Sequence, residues 1–262
     1  MIIESFSNPK VKQLQQLLHS RKHRKESDIF VLESPKIIHE CLAKNPDDIV
    51  AILCPEGDEV EYEKVPVWVL KRSLFLEVVS TVTPQPLLAL VRKPKWKTNS
   101  VLKAAKRILL LDGVRDPHNI GAVLRNIKAF GMDALIVTEE TVDAFHPKVC
   151  RSSAGAVMSI PVLPFSSDTL EILRKESVAF SIIAAGGTAS ITQLDCSEKQ
   201  VFILGSEGQG ISKTLVEQLA EKSQVSFHHI EMSNETESLN VAVASGILGH
   251  HLYQQDCLKM TK

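Results

Sequence analysis

The chain has 262 residues, of which 44% are apolar and 23% charged, and its formal net charge is −1. That length exceeds the roughly 150 residues of a typical domain, and the composition can supply a hydrophobic core. No apolar run approaches the roughly 18 residues that span a bilayer, and no signal-peptide pattern is visible at the first residues. These features argue against the membrane, secreted and fibrous classes, and we expect a cytoplasmic protein of mixed structure.

Positive charge is concentrated in the first part of the chain. Residues 1–107 contain 18 Lys and Arg against 13 Asp and Glu, whereas residues 108–262 contain 12 against 18. A basic excess in one part of a chain favours contact with a polyanion there.

The first hundred residues have the pattern of a small α/β unit. Asn8-Pro9 precedes apolar residues at helical spacing, and a second helix is predicted over 35–43. Apolar runs predict four strands, at 29–32, 49–53, 65–70 and 87–91. The basic segment that follows contains Pro94 and is typical of a linker. We therefore predict a first domain over 1–98 and a linker over 99–107.

Strands and helices alternate from residue 108 to residue 262. Strands are predicted at 108–111, 134–138, 157–162, 178–184, 201–204 and 225–230. Helices are predicted at 120–130, 167–175, 214–221 and 238–253. This alternation predicts a mainly parallel sheet that is covered by helices on both faces.

Three turns that follow predicted strands carry the candidate site, because parallel sheets bind ligands beyond the carboxyl ends of their strands. The first turn begins at Asp112 and leads into a helix. Asn119 can cap this helix, and Arg125 has the side chain that is suited to gripping a phosphate with two nitrogens.

The second turn, 204–212, has three glycines in six residues, which lets the backbone approach a ligand closely. Its spacing fits neither the dinucleotide fingerprint nor a P-loop. Glu207 could anchor the amides of a neighbouring loop or Arg125. The alternative is a tight turn with a helix cap at Ser212.

The third turn, 230–240, opens the last predicted helix. Ser238 and Asn240 are residues that favour caps over helix interiors, so this turn could be only a capped helix start. Three polar or glycine-rich turns at neighbouring strand ends nevertheless predict one shared pocket.

These turns resemble, in order, the three motifs of the SpoU (TrmH-like) branch of the SPOUT RNA ribose methyltransferases. The matching segments are 112–131, 205–210 and 230–244, and 147–155 also resembles a family element. Residues 1–98 are similar to the substrate-binding domain that is often fused to these enzymes, whose fold is like that of the ribosomal protein L30e. The wording of the third segment leans toward the thiostrepton-resistance type of rRNA methyltransferase.

The resemblance implies a particular α/β fold and activity. Residues 108–262 would form a parallel-sheet methyltransferase domain with a deep trefoil knot, preceded by a smaller L30e-like α/β domain. The family acts as a homodimer with the active site near the interface, and transfers a methyl group from S-adenosylmethionine to a ribose 2′-hydroxyl of RNA. We expect large-subunit rRNA as the substrate. The alternatives are a tRNA 2′-O-methyltransferase and a non-catalytic RNA-binding or ribosome-assembly factor that keeps the fold.

The resemblance also assigns roles to individual residues. It implies catalytic roles for Asn119, Arg125, Glu207, Ser238 and Asn240. It implies cofactor contacts for Gly205, Gly210, Ile230, Met232 and Leu239. Two positions of the third motif depart from the family, since Glu231 stands where Pro is usual and Asn234 where Gly is usual.

RNA contact is expected at basic side chains of the first helix and the turn after it. The predicted RNA-binding residues are Lys10, Lys12, Arg21, Lys22, Arg24, Lys25 and Arg151. Their neighbours are apolar at helical spacing, which indicates an amphipathic helix with a basic side, although such a run can also be only a solvated face.

No metal site is expected. The five cysteines are far apart and include no CxxC pair. The two adjacent histidine pairs, at 228–229 and 250–251, have poor geometry for one ion, because neighbouring side chains point apart on a strand or a helix.

Overall fold

The computed structural model describes residues 2–79, 85–194, 199–221, 223–233 and 235–260. Its strands are β1 (Ile2–Ile3), β2 (Ile29–Leu32), β3 (Ile49–Pro55), β4 (Val67–Leu70), β5 (Leu88–Arg92), β6 (Arg107–Asp112), β7 (Ala134–Val137), β8 (Val162–Pro164), β9 (Ala179–Ile183), β10 (Ala189–Ser190), β11 (Gln200–Gly205) and β12 (Val225–His229). Its α-helices are α1 (Pro9–His19), α2 (Arg21–Glu26), α3 (Pro35–Lys44), α4 (Arg72–Val78), α5 (Thr98–Ala104), α6 (Pro117–Ala129), α7 (Pro147–Ser152), α8 (Ser167–Lys175), α9 (Lys213–Ala220) and α10 (Val241–Met260).

The chain forms two compact units whose bounds differ from the predicted ones. One unit comprises Met1–Pro94 and Asp143–Met158, and the other comprises Lys95–Val142 and Ser159–Lys262. The segment 143–158 belongs to the first unit because Asp143 forms an ion pair with the buried Arg24, with 2.7 Å between Arg24 Nε and Asp143 Oδ2. The segment predicted as a linker contains all but the first residue of α5, whose Leu102 is buried in the core of the second unit.

The first unit contains a mixed five-stranded sheet with the order β1-β4-β3-β5-β2. Strand β5 runs antiparallel to both of its neighbours, whereas β4 is parallel to β1 and β3. Helix α1 begins at Pro9, where the Asn8 side chain accepts a hydrogen bond from the Lys10 amide at 3.0 Å. It buries the apolar side that the sequence predicted, including Leu14 and Leu17.

The second unit contains a seven-stranded sheet with the order β10-β12-β9-β11-β6-β7-β8. All of its pairings are parallel, as the sequence predicted. Every residue of the central strand β6 is buried, which is expected where helices cover both faces of a sheet. The trefoil knot stays a prediction.

Close packing of α10 against α6 fixes the start of α10 at the edge of the site. A Cβ atom on Gly249 would lie 2.7 Å from Cδ2 of Phe130, so the two helices approach here only because residue 249 has no side chain. Asn126 Nδ2 donates to the Ala242 carbonyl at 2.8 Å and to Ser245 Oγ at 2.9 Å. These contacts hold the first turns of α10 in place.

Several local predictions were wrong. The strand predicted over 157–162 begins in a 3₁₀ turn at Ala156–Met158, and only its last residue lies in a strand, the start of β8. Helices α2, α4 and α7 were missed, because each has six or seven residues and so little periodicity. A linker was predicted over 99–107 because the stretch around Pro94 is basic, although α5 packs apolar residues of this segment against the core.

Three further features of the chain concern membrane-spanning helices, metal-ion sites and the cysteine thiols. Within the described ranges, no helix is long and apolar enough to cross a membrane. Among those same residues, no three His, Cys, Asp or Glu side chains are grouped so as to hold a metal ion. Burial raises the pKa of the Cys41, Cys54 and Cys150 thiols, whereas Cys257 is exposed, and Cys196 lies outside the described residues.

Candidate functional site

An apolar pocket lies beyond the carboxyl ends of β9, β11 and β12, and the start of α10 completes it. We call it the inner pocket. All five residues predicted to contact the cofactor line it, namely Gly205, Gly210, Ile230, Met232 and Leu239. Two of the predicted catalytic residues, Glu207 and Ser238, line it as well. The second and third predicted turns therefore share one pocket.

The glycine-rich turn is a small hairpin over 206–210. Its ends, Ser206 and Gly210, exchange two backbone hydrogen bonds of 3.1 Å and 2.9 Å. A Cβ atom on Gly205 would lie 2.2 Å from the carbonyl carbon of Gly210, so the hairpin can close only with glycine at 205. Gly210 itself has a φ of +66°, a conformation that favours glycine.

Asp112 ties this hairpin to the neighbouring strand. Its side chain is buried at the end of β6, and Oδ2 accepts a hydrogen bond from the Ser212 amide at 2.7 Å. Ser212 in turn caps α9, because its hydroxyl accepts from the Leu215 amide at 3.4 Å. The helix cap and the ligand-facing hairpin thus coexist, although the sequence presented them as alternatives.

Glu207 joins all three predicted turns. Its Oε1 accepts hydrogen bonds from Asn119 Nδ2 at 2.9 Å, from Asn240 Nδ2, and from the Val241 amide at 3.4 Å. Asn240 Nδ2 also lies 3.1 Å from Asn119 Oδ1. Three predicted catalytic side chains are therefore in direct contact, with Glu207 at their centre.

Asn119 does not cap its helix, contrary to the prediction. The cap of α6 is Asp116, whose side chain accepts from the His118 amide at 2.8 Å. Asn119 lies inside the first turn, which leaves its amide free to reach Glu207. Asn240 does cap α10, because its Oδ1 accepts from the Ala242 amide at 2.9 Å.

Arg125 stands apart from this group. It is exposed on α6 and is not among the residues that line the inner pocket. Within the described part of the chain, its guanidinium forms neither a hydrogen bond nor an ion pair. Its side chain is therefore available to a ligand or to another chain.

Glu231 stands where proline is usual in the family, and a hydrogen bond restrains the loop at this position. The Ser190 hydroxyl donates a hydrogen bond to the Glu231 carboxylate, and this bond lowers the pKa of Glu231. The contact ties the loop after β12 to the end of β10. Asn234, the other departure, lies outside the described residues.

Sequence reasoning missed one wall of the inner pocket. Ile183 at the end of β9 lines it, together with Ala184 and Ala185 in the loop that follows. A Cβ atom on Gly187 in this loop would lie 2.1 Å from the carbonyl carbon of His228, so the loop packs tightly on β12. The two consecutive glycines directly after a predicted strand were the available signal.

The basic residues of the first unit divide into two groups. The first group is exposed and comprises Lys10, Lys12, Arg21, Lys22 and Lys25. Within it, Lys10 Nζ lies 4.6 Å from the centre of the Trp68 ring. Arg24 is only 3% exposed, so its inclusion in the RNA-binding surface was wrong.

Two arginines that were predicted to bind RNA are instead paired with carboxylates of the first unit. Arg24 Nη1 donates to the Leu17 and Leu18 carbonyls at 3.1 Å, in addition to its ion pair with Asp143. Arg151 is paired with the buried Glu33. The guanidinium groups are thus used within the first unit.

The inner pocket suits S-adenosylmethionine, the cofactor that the motifs imply. Its walls include Leu204, Ile230 and Leu239, which can cover an adenine ring, and loop backbone that can bond its polar edge. The Glu207 carboxylate lies at the same pocket and favours the positive charge of a sulfonium there.

Comparisons with known proteins agree with this geometry. A model of the SpoU rRNA Methylase family matches residues 106–250, and a model of the MRM3-like substrate binding domain matches residues 8–89. The chain is 32% identical over 254 residues to the 23S rRNA (guanosine(2553)-2'-O)-methyltransferase RlmP of Bacillus subtilis (strain 168), with 95% of this chain and 98% of that protein covered.

Two further proteins are similar over most of the chain. The 23S rRNA (guanosine-2'-O-)-methyltransferase RlmB of Coxiella burnetii is 33% identical over 181 residues, which covers 68% of this chain and 67% of that protein. The crystal structure of an AdoMet-bound rRNA methyltransferase from Sinorhizobium meliloti has a TM-score of 0.81 at 23% identity, with 97% and 98% of the two chains covered. The latter likeness concerns the fold.

Replacement of Gly205 by alanine tests the hairpin. We expect Gly205→Ala to weaken S-adenosylmethionine binding by about tenfold or more, because the added methyl group forces the Gly210 backbone away. Gly208→Ala is the matched control, since a Cβ atom there meets nothing within 4 Å. Isothermal titration of both variants checks the expectation. Equal affinities would contradict it.

Proposed function

The chain belongs to the SpoU rRNA methylase family, and on that premise we propose that it methylates a ribose 2′-hydroxyl of large-subunit ribosomal RNA with S-adenosylmethionine as the methyl donor. The observation that carries the proposal is the joining of the three motif turns at Glu207 beside the inner pocket. The catalytic alternative is favoured over an idle RNA-binding protein, because Asn119, Arg125, Ser238 and Asn240 are all retained.

The inner pocket binds the cofactor in this proposal. S-adenosylmethionine supplies a methyl group activated by the sulfonium charge. Gly205 and Gly210 shape the hairpin, and Ile230, Met232 and Leu239 line the opposite wall. Ser238 and Asn240 hold the loop before α10, and Glu207 organises the turns rather than removing a proton, because its Oε1 already accepts three hydrogen bonds.

Arg125 acts on the RNA in this proposal. A ribose hydroxyl is a very weak acid, so a group must take or share its proton as the methyl bond forms. A guanidinium with a pKa above about 12 is a poor base but a good bidentate phosphate ligand. Arg125 therefore grips the phosphate beside the target ribose, and relays the proton only once that geometry is set. The exposed, unpaired state of its side chain supports this role.

A homodimer fits the outer face of α10. Four large apolar side chains on this helix are exposed, namely Val243 (50%), Ile247 (39%), Tyr253 (48%) and Leu258 (67%). They fall within a sector of roughly 140° on the helix surface. Contiguous exposed apolar surface is typical of an interface, and this surface begins one turn after Asn240. The second copy would then lie beside the active site.

The first unit binds the RNA in this account. Its exposed basic side chains support phosphate contact, and few aromatic residues lie near them, which favours recognition of phosphates and shape over base stacking. We also propose a cytoplasmic location, with which a ribosomal RNA substrate is consistent. No step needs a metal ion.

The role of Arg125 is tested by alanine replacement. Arg125→Ala should lower the rate of methyl transfer to protein-free rRNA by about 100-fold or more, because phosphate grip and proton transfer are lost together. The affinity for S-adenosylmethionine should stay unchanged. Lys128→Ala, an exposed cation one turn further along α6, is the control. Loss of cofactor binding in Arg125→Ala would contradict this division of roles.

The RNA surface is tested by its salt dependence. Replacing Lys12, Arg21, Lys22 and Lys25 with glutamine should reduce the slope of log Kobs against log salt concentration by about 3, since each phosphate contact contributes about 0.7 on single-stranded RNA. The double variant of Lys44 and Lys64 keeps the slope, because these exposed lysines of the same unit lie outside the cluster. An unaltered slope in the first variant would refute the assignment.

The dimer is tested at the centre of the exposed face. Ile247→Glu should convert a dimer into a monomer in sedimentation experiments, because it buries a charge in the interface. Leu76→Glu places the same charge on α4, where the leucine is 51% exposed, and should leave the dimer intact. A monomeric wild-type protein would overturn the proposal.

A further inference from the structure

A second concave surface lies on the other side of the 206–210 hairpin from the inner pocket. It has two adjoining parts with volumes of about 430 Å³ and 290 Å³, and both are lined by Gly113, Arg115, Ser206 and Gln209. We call it the outer pocket. Asn119 and Glu207 line its smaller part, and Glu207 also lines the inner pocket. The outer pocket is therefore next to the place where a methyl group would be transferred.

Arg115 is the distinctive residue of the outer pocket. It lines both parts, and of the described residues that line them it is the sole Lys or Arg. Its side chain is exposed and forms no hydrogen bond or ion pair within the described part of the chain. Its guanidinium is therefore available for a ligand.

The larger part of the outer pocket is suited to a nucleobase and not to a phosphate. Glu139 and Glu140 line it together with Arg115, and two carboxylates repel a phosphate. Phe165 lines the same part and offers a ring on which a base can stack. Proteins read unpaired RNA bases by such stacking together with hydrogen bonds to the base edges.

We propose that the outer pocket binds the base of the nucleotide to be methylated, and that it selects guanine. Arginine pairs with two nitrogens to the O6 and N7 acceptors of guanine, and a carboxylate accepts from the N1 and N2 hydrogens of the same base. Adenine presents an amino donor where guanine presents O6, so Arg115 would keep at most the hydrogen bond to N7. Arg115 and Glu140 are thus specificity residues for the target.

This inference deepens the proposed function and rests on it. The base in the outer pocket would hold its ribose near Asn119 and Glu207, which lie at the smaller part, beside the inner pocket. Glu140 is assigned before Glu139, because its carboxylate forms no hydrogen bond or ion pair within the described residues. The outer pocket then selects the base of the same nucleotide whose ribose is methylated.

The test starts with wild-type protein, labelled S-adenosylmethionine and protein-free rRNA, followed by nucleoside analysis. We expect the label in 2′-O-methylguanosine. Arg115→Ala and Arg115→Lys should each lower kcat/KM for rRNA by about tenfold or more, because a lysine keeps the charge but not the two-nitrogen pairing. S-adenosylmethionine affinity should be unchanged in both. Lys128→Ala, an exposed cation of the second unit without a partner in the described residues, is the control for loss of charge.

Inosine at the mapped position tests Glu140 separately, because inosine lacks the N2 amino group of guanine. Wild-type protein should discriminate against a synthetic RNA with inosine there, and Glu140→Ala should treat both RNAs alike. Label in a nucleoside other than 2′-O-methylguanosine, or full activity of Arg115→Ala, would overturn the inference while the proposed function stands. No label in any RNA would count against the proposed function itself.

Discussion

A single carboxylate oxygen holds the candidate active site together. Glu207 Oε1 accepts hydrogen bonds from the side chains of Asn119 and Asn240 and from the backbone amide of Val241. These donors belong to the starts of two different helices, α6 and α10. Because an ionised carboxylate is an acceptor only, it can satisfy all three donors at once, which an amide side chain could not do equally well. The inner and outer pockets both depend on where this residue stands.

The parallel sheet makes that contact possible. Strands β6, β11 and β12 run in one direction, so that their following loops emerge at the same edge. The absence of a side chain at Gly205 lets the hairpin close, and the buried carboxylate of Asp112 ties its end to β6. The side chains of the site are thus positioned by the backbone. Strand direction places the loops, and small or buried residues fix the shape of those loops.

The sequence was informative where its signal was local, and uninformative where packing decides. The predicted cofactor residues line the inner pocket as their motif positions indicated, and the alternation of strand and helix predicted a parallel sheet, although β10 and the wall formed by 183–185 were missed. The cap of α6 could not, because Asp116 and Asn119 are both good caps and only the structure shows that Asp116 takes the role. The burial of Arg24 was equally hidden, since its partner Asp143 is 119 residues away in the chain.

The proposed reaction transfers a methyl group to a ribose hydroxyl of ribosomal RNA. Alkaline hydrolysis is a direct test of this position, because hydroxide cleaves RNA only where the 2′-hydroxyl is free. Protein-free rRNA methylated with labelled S-adenosylmethionine should, after complete alkaline hydrolysis, carry its label in a dinucleotide that resists cleavage. Label released in mononucleotides would place the methyl group on a base and contradict the account.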